Sequence, residues 1–370
     1  MSIADRVNKF MVKKKIAVVF GGKSTEHEVS IESAKMVCRK LEEAGFFVLP
    51  FYVPRKGPWR LAKLSSLSAG GPLSGTAIEP SLAGGCFIGK GVRKIRPDAV
   101  FPLIHGSTGE DGVLQGLLEL LELPYVGCGV TSSAVCMDKV ISKELAALQG
   151  VPVLPHVVIR AYQRPEIPSL LKKAARLGFP LFVKPVAQGS SVGVGKVKRS
   201  ADLRAAVEYA FRFDTAVMIE KGVDRAREIV CGVLGAPGEA AASVTGEVVP
   251  KGRHEFFDYE AKYLDDGGIE FLLPAPLSAG AQARLRLLAV KTFRALGCSG
   301  FARADFFVDS RDEKKVWLCE INTLPGFTSH SLYPRLWEKT GLKAEKVLKE
   351  LINIALRDRA SRHKLSIVRK

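Results

Sequence analysis

The chain has 370 residues, 47% of them hydrophobic, with 55 Lys and Arg against 38 Asp and Glu, a formal net charge of +17. That apolar content supplies sizeable cores for two or three domains and excludes a disordered chain. The charge points to anionic partners or a diffusely basic surface, and seven cysteines without a Cys-x-x-Cys pair exclude a disulfide scaffold or a thiolate zinc site.

Residues 1–15 read as a polar extension. The apolar run Ile16–Phe20 is too short for a signal peptide, and no run approaches the ~20 residues of a membrane span. "KIAVVFGG" predicts a buried strand of parallel type ending on two glycines. "EVSIESAKMVCRKLEEAG" has helical period and stops at Gly45, with Glu26 or Glu28 placed to cap its start or to bind an ammonium. "FFVLPFYV" is the next strand, so the chain opens β-α-β and falls in the α/β class. Residues 55–95 are rich in Gly, Ser, Pro and Ala and read as an insertion of short strands and loops. "DAVFPLIHG" is again a strand and "DGVLQGLLELLEL" a helix. "HGSTGEDG" follows a strand end, where ligands sit in α/β sheets, with His105 either aimed into a cleft or capping locally. These elements delimit an N-terminal domain over 1–127.

A central domain over 128–221 holds the helix "SKELAALQG", the strand "PLFVKPV", a glycine loop, the helix "SADLRAAVEYAF" and the strand "AVMIEK". Two apparent phosphate loops fail. "FGGKST" has Ala17 where a P-loop needs its first glycine, and "GSSVGVGKV" has one residue too many between Gly189 and Gly195. The stretch "KPVAQGSSVGVGKV" reads either as a phosphate lid or as an ordinary glycine hairpin. Its glycines allow close backbone approach, and Ser190 and Ser191 add hydroxyls. Lys184 ends an apolar strand, where a lysine is expensive unless it meets an anion.

A C-terminal domain over 222–370 holds "EIVCGVLG", a polar segment near 250–270 with "YEAKY" that reads as a lid or as a solvent-exposed loop, a helix, the strands "GFARADFFVD" and "KVWLCEIN", a last helix and a basic tail. The two strands predict a hairpin. With its turn centred between 312 and 313, Asp305 faces Glu320 and Arg303 faces Asn322 on one face. The face reads either as a salt-bridged surface hairpin or as a metal site: two carboxylates so close repel unless a cation lies between them, and oxygen donors of this kind suit Mg²⁺ or Mn²⁺ completed by phosphates.

Seven stretches in order, "GGKSTEHEVS", "HGSTGEDG", "PYVGCGVTSSAVCMDK", "FVKPVAQGSSVGVGKV", "YEAKY", "GFARADFF" and "EINTLPGFTSHSLYP", resemble the D-alanine–D-alanine ligase family of the ATP-grasp superfamily over about residues 16–352. The resemblance implies an ATP-grasp fold of three α/β domains, the first Rossmann-like, with ATP between the other two. It implies ATP, two Mg²⁺ (or Mn²⁺) and two D-alanines, joined through an acyl phosphate. By the same resemblance Lys139, Lys184, Ser191 and Lys262 contact the phosphates; Glu220, Lys221 and Val223 form the adenine hinge; and Glu228 meets the ribose. Asp305, Glu320 and Asn322 ligate the metals. Arg303 and the Gly326 N–H hold the oxyanion. Glu26 binds the first ammonium with His105 nearby, Ser331 and the Leu332 N–H hold the second carboxylate, and Ser190, Tyr263 and Glu26 join across the closed site. The intact "EAKY" looks like the dipeptide-forming type. A cytoplasmic homodimer without nucleic-acid or membrane partners is the family expectation; the basic tail and high charge are not explained by it.

Overall fold

The computed structural model describes residues 13–68, 73–251, 268–328 and 330–364. Among the described residues three sheets carry the mixed α/β fold. The first contains β1 (Lys15–Gly21), β2 (Phe47–Val53), β3 (Trp59–Ala62), β4 (Gly75–Ser81), β5 (Cys86–Gly89), β6 (Val92–Ile95) and β7 (Ala99–Pro102), in the order β6-β5-β4-β3-β2-β1-β7. β1 lies between β2 and β7, parallel to both. Its run Ile16–Phe20 is fully buried, as a strand covered on both faces must be. The helix His27–Glu43 covers one face through Ala34, Val37, Cys38 and Leu41, the i, i+3, i+4, i+7 stripe of an amphipathic helix. The stretch expected as an insertion is continuous with this sheet: β3 pairs antiparallel with β2, and β4 to β6 follow as neighbours. The loops after β1 and β7 therefore open at the same sheet end, where ligands bind in α/β folds.

The second sheet contains β8 (His156–Arg160), β9 (Leu181–Pro185), β10 (Gly195–Val197) and β11 (Ala216–Lys221), ordered β10-β9-β11-β8 and antiparallel throughout. The third contains β12 (Ala226–Gly235), β13 (Ala241–Pro250), β14 (Ile269–Leu272), β15 (Gly300–Asp309) and β16 (Asp312–Asn322), ordered β14-β13-β12-β15-β16. Helices Ala279–Ala295 and Ala344–His363 complete the C-terminal part.

The β15–β16 hairpin corrects one expectation. Its turn is Ser310–Arg311, with Asp309 opposite Asp312, not a turn between 312 and 313. Two register shifts, at Val308/Asp309 and at Asp305/Phe306, absorb the difference, so that Asp305 still faces Glu320 and Arg303 still faces Asn322. At the second shift Leu318 opposes Phe306 and Glu320 opposes Asp305, which leaves Cys319 as the extra residue of a β-bulge.

The first and third sheets meet through aromatic rings. Phe301 at the start of β15 lies 6.1 Å from Phe101 and 5.7 Å from Phe327, centroid to centroid. Beside it, Gly300 has φ +76°, and a Cβ there would come within 2.9 Å of the Gly127 Cα. Gly300→Ala therefore combines a left-handed backbone with a backbone clash that no rotamer relieves. It should destabilise the protein by about 2 kcal/mol or more, read as a lowered Tm. An unchanged Tm would show that this junction yields.

Candidate functional site

A cleft of about 200 Å³ lies between the second and third sheets. It brings together Lys139, Lys184, Ser191, Glu220, Lys221, Val223 and Glu228 with Asp305 and Glu320. These are the residues expected at nucleotide and metal, apart from Lys262 and Asn322. Lys262 and Tyr263 lie outside the described residues.

Lys139 opens the helix Lys139–Leu148, which Asp138 caps by accepting from the Val140 and Ile141 N–H groups at 2.9 Å each. The cap fixes where the lysine emerges. Its ammonium donates to the Gln188 carbonyl at 2.5 Å and lies 3.9 Å from Glu320. Lys184, on β9, is buried, and the anion that offsets its burial is one of the protein's own: it donates to Glu220 Oε2 at 2.6 Å. Glu220, on β11 and 1% exposed, also accepts from Lys143. Burial opposes the Lys184 charge, but Glu220 outweighs it and raises the lysine's pKa. Burial alone would likewise raise Glu220, yet the two ammonium groups hold it at about 2. The Glu220 side chain is thus committed to lysines.

Lys143 was not singled out from the sequence. Its signal was present, since it falls on the buried side of its helix between Val140 and Ala146, three residues from each.

On the hairpin, Arg303 donates to both oxygens of Asp305, at 2.7 and 2.6 Å. Asn322 Oδ1 accepts the Leu324 N–H at 2.9 Å, which starts the turn away from β16. Among the described residues no group of three His, Cys, Asp or Glu side chains could hold a metal ion. The protein's own set is two carboxylates and an amide oxygen on one face. That all-oxygen, incomplete set fits magnesium, which keeps waters and takes phosphate oxygens, better than a metal needing a full protein cage.

A second group sits at the ends of β1 and β7. Glu26 stands at the N-cap of helix His27–Glu43 but its carboxylate does not cap it. Instead it accepts from Ser190 Oγ at 2.6 Å, across 164 residues of chain. Ser190 and Ser191 hold φ of +51° and +59°, costing about 1 kcal/mol or more each outside glycine. Glu28, the other proposed cap, pairs with Arg55 at the surface. His105 is buried; its Nε2 lies 3.1 Å from Ser33 Oγ and its Nδ1 3.4 Å from Glu110. Burial works against its charge, but the hydrogen bond and charge of Glu110, with Glu26 behind, raise its pKa.

The third group is the loop after β16. Phe327 N–H donates to Ser33 Oγ at 3.3 Å, so Ser33 ties this loop to His105. Ser331 precedes helix Leu332–Lys339; its Oγ accepts the Thr328 N–H at 2.9 Å. A Cβ on Gly326 would lie 2.8 Å from that same Oγ, which places Gly326 and Ser331 side by side. Ser33 and Glu110, like Lys143, were missed from the sequence.

No described helix is long and apolar enough to cross a membrane.

Two family profiles match the chain. One described as "D-ala D-ala ligase N-terminus" covers residues 15–128, and one described as "D-ala D-ala ligase C-terminus" covers 145–353. A D-alanine--D-alanine ligase of Thermoanaerobacter sp. (strain X514) is 42% identical over 354 residues, 94% of this chain and 97% of that protein. A D-alanine--D-alanine ligase A of Bradyrhizobium diazoefficiens is 45% identical over 359 residues, 93% of this chain and 95% of that protein. Among solved structures, the D-alanine-D-alanine ligase from Coxiella burnetii superposes with a TM-score of 0.82 at 35% identity, covering 95% of this chain and 96% of that one. The VanG D-Ala:D-Ser ligase from Enterococcus faecalis superposes at 0.83 and 37% identity, covering 93% and 100%.

Proposed function

The chain belongs to the D-alanine–D-alanine ligase family and joins two D-alanines with ATP for peptidoglycan synthesis, and we propose that the three groups above divide this reaction between them. The fold is ATP-grasp, and the route is the family's acyl phosphate: one D-alanine carboxylate takes the terminal phosphate, and the amine of the second displaces it.

The observation that carries the division is the contact of Glu26 with Ser190. It joins the N-terminal sheet to the glycine loop of the nucleotide cleft. Lys139 and Lys184 meet the phosphates as fixed cations, since both ammonium groups are already held by hydrogen bonds and need no reorganisation. Lys221, Val223 and Glu228 line the end of the cleft assigned to adenine and ribose. A divalent ion held by Asp305, Glu320 and Asn322 would draw charge from the phosphate in transfer. Arg303, locked by Asp305, faces the developing oxyanion with the Gly326 N–H. Glu26 receives the first ammonium beside His105. Ser331 and the Leu332 N–H, at the positive end of a helix, receive the second carboxylate. Holding both substrates in line between these groups keeps water from the acyl phosphate.

Phosphate release should require both ATP and D-alanine, and mass spectrometry should find D-alanyl-D-alanine. ATP turnover indifferent to D-alanine would refute the division. The likeness to a D-Ala:D-Ser ligase favours one second reading. D-serine and D-lactate offered in competition decide it, since a mixed product in excess would displace the D-alanine assignment at the second position.

A further inference from the structure

We propose that Lys143 is a positioning residue for the phosphate end of the cleft, holding in place both the lysine and the carboxylate strand that face the nucleotide. This rests on the assignment of Lys184 and Glu320 made above.

Lys143 is 1% exposed and lies behind the cleft wall, outside the residues that line the cleft. Its ammonium makes two contacts. One is to Glu220, whose other oxygen holds Lys184 at 2.6 Å. The other is to the Leu318 carbonyl at 2.9 Å. Leu318 immediately precedes the bulged residue Cys319, and its own N–H donates to the Pro152 carbonyl at 2.8 Å. Among the described residues β16 is an edge strand of its sheet, with no sixth strand on its outer side. Lys143 and Pro152 restrain it instead, at the bulge.

The bulge decides where Glu320 points. Strict alternation would place Glu320 on the face of Leu318, which is buried in the core. The extra residue turns Glu320 to the side of Asp305, and both Cys319 and Glu320 line the cleft. A buried ammonium on the carbonyl just before the bulge therefore holds β16 at the point where its register against β15 shifts. Through Glu220 the same ammonium fixes the Lys184 head group. One side chain thus sets a cation and a carboxylate on opposite walls of one cleft.

Lys143→Met keeps the stem and removes the ammonium, while Lys184 still neutralises Glu220, so the fold should survive. The KM for ATP, and the Mg²⁺ concentration giving half the maximal rate, should each rise about tenfold or more, with the KM for D-alanine within about twofold of wild type. Lys143→Arg, which keeps charge and donors, should recover most of the ATP affinity. Leu285→Ala, in the core beneath the third sheet, is the control: it should lower Tm and move neither KM. An unchanged KM for ATP in Lys143→Met overturns the proposal, and so does an equal rise in both KM values. Should Lys143→Met not fold, Lys143→Gln is measured against the same criteria. Failure of the ligase reading looks different, as wild-type ATP turnover without need of D-alanine; calorimetric ATP affinities of wild type and variant then decide the role of Lys143 alone.

Discussion

Glu320→Gln should lower kcat/KM for D-alanine-dependent ATP turnover by about a hundredfold or more, while Tm stays within a few degrees. The side chain is 34% exposed, and its 3.9 Å pairing with Lys139 is a partly exposed one of modest worth to the fold. Its value lies in facing Asp305 across the hairpin, where a neutral amide would weaken any hold on a divalent ion. Raising Mg²⁺ should recover part of the loss, and Mn²⁺ binding followed by paramagnetic resonance should weaken in parallel. Near-normal turnover at low Mg²⁺ would remove Glu320 from the metal assignment.

Glu220→Gln should act on the fold itself. The substitution leaves two buried ammonium groups, Lys143 and Lys184, without their shared counter-charge. Breaking a buried ion set in this way costs about 3–5 kcal/mol, a fall in Tm of about 5 °C for a chain of 370 residues. The pH dependence carries the same sign. The folded carboxyl sits at about 2, below the ordinary carboxylate range, so ionised Glu220 favours the fold at neutral pH. That contribution is complete above the unfolded carboxylate's pKa and is lost as pH falls through about 2. Wild type should therefore lose stability on acidification more steeply than the variant. Parallel acid-unfolding curves, or a Tm unchanged by the substitution, would show that the two lysines are satisfied in another way.

Much of the site was legible because it depends on local periodicity. Arg303, Asp305, Glu320 and Asn322 could be placed on one face from strand alternation, and the pairing held although the turn lies at Ser310–Arg311. It held because two register shifts compensated for the different turn, and such shifts leave no mark in an alternating pattern of this length. Lys184 was rightly judged to need an anion, but the first anion it meets is Glu220, 36 residues away. Ser33 shows the limit most plainly. It occupies an unremarkable helical position, yet it joins His105, 72 residues on, to Phe327, 294 residues on. Only the packed fold makes such a residue visible. The composition of residues 55–95 predicts an insertion of short strands and loops, but their antiparallel continuation of the first sheet depends on partners in β2 that composition does not specify.

The edge of the third sheet has a consequence for solubility. β14, at one side, is only four residues long, whereas β16 at the other runs for eleven. A long edge strand is a template on which a second chain can add backbone hydrogen bonds. Here the Pro152–Val153 segment lies along β16 at Leu318, and Lys143 takes the neighbouring carbonyl. The central part of the chain thus guards this edge at Leu318 against strand-to-strand association, and a truncated protein lacking it would leave those backbone groups open to a second chain.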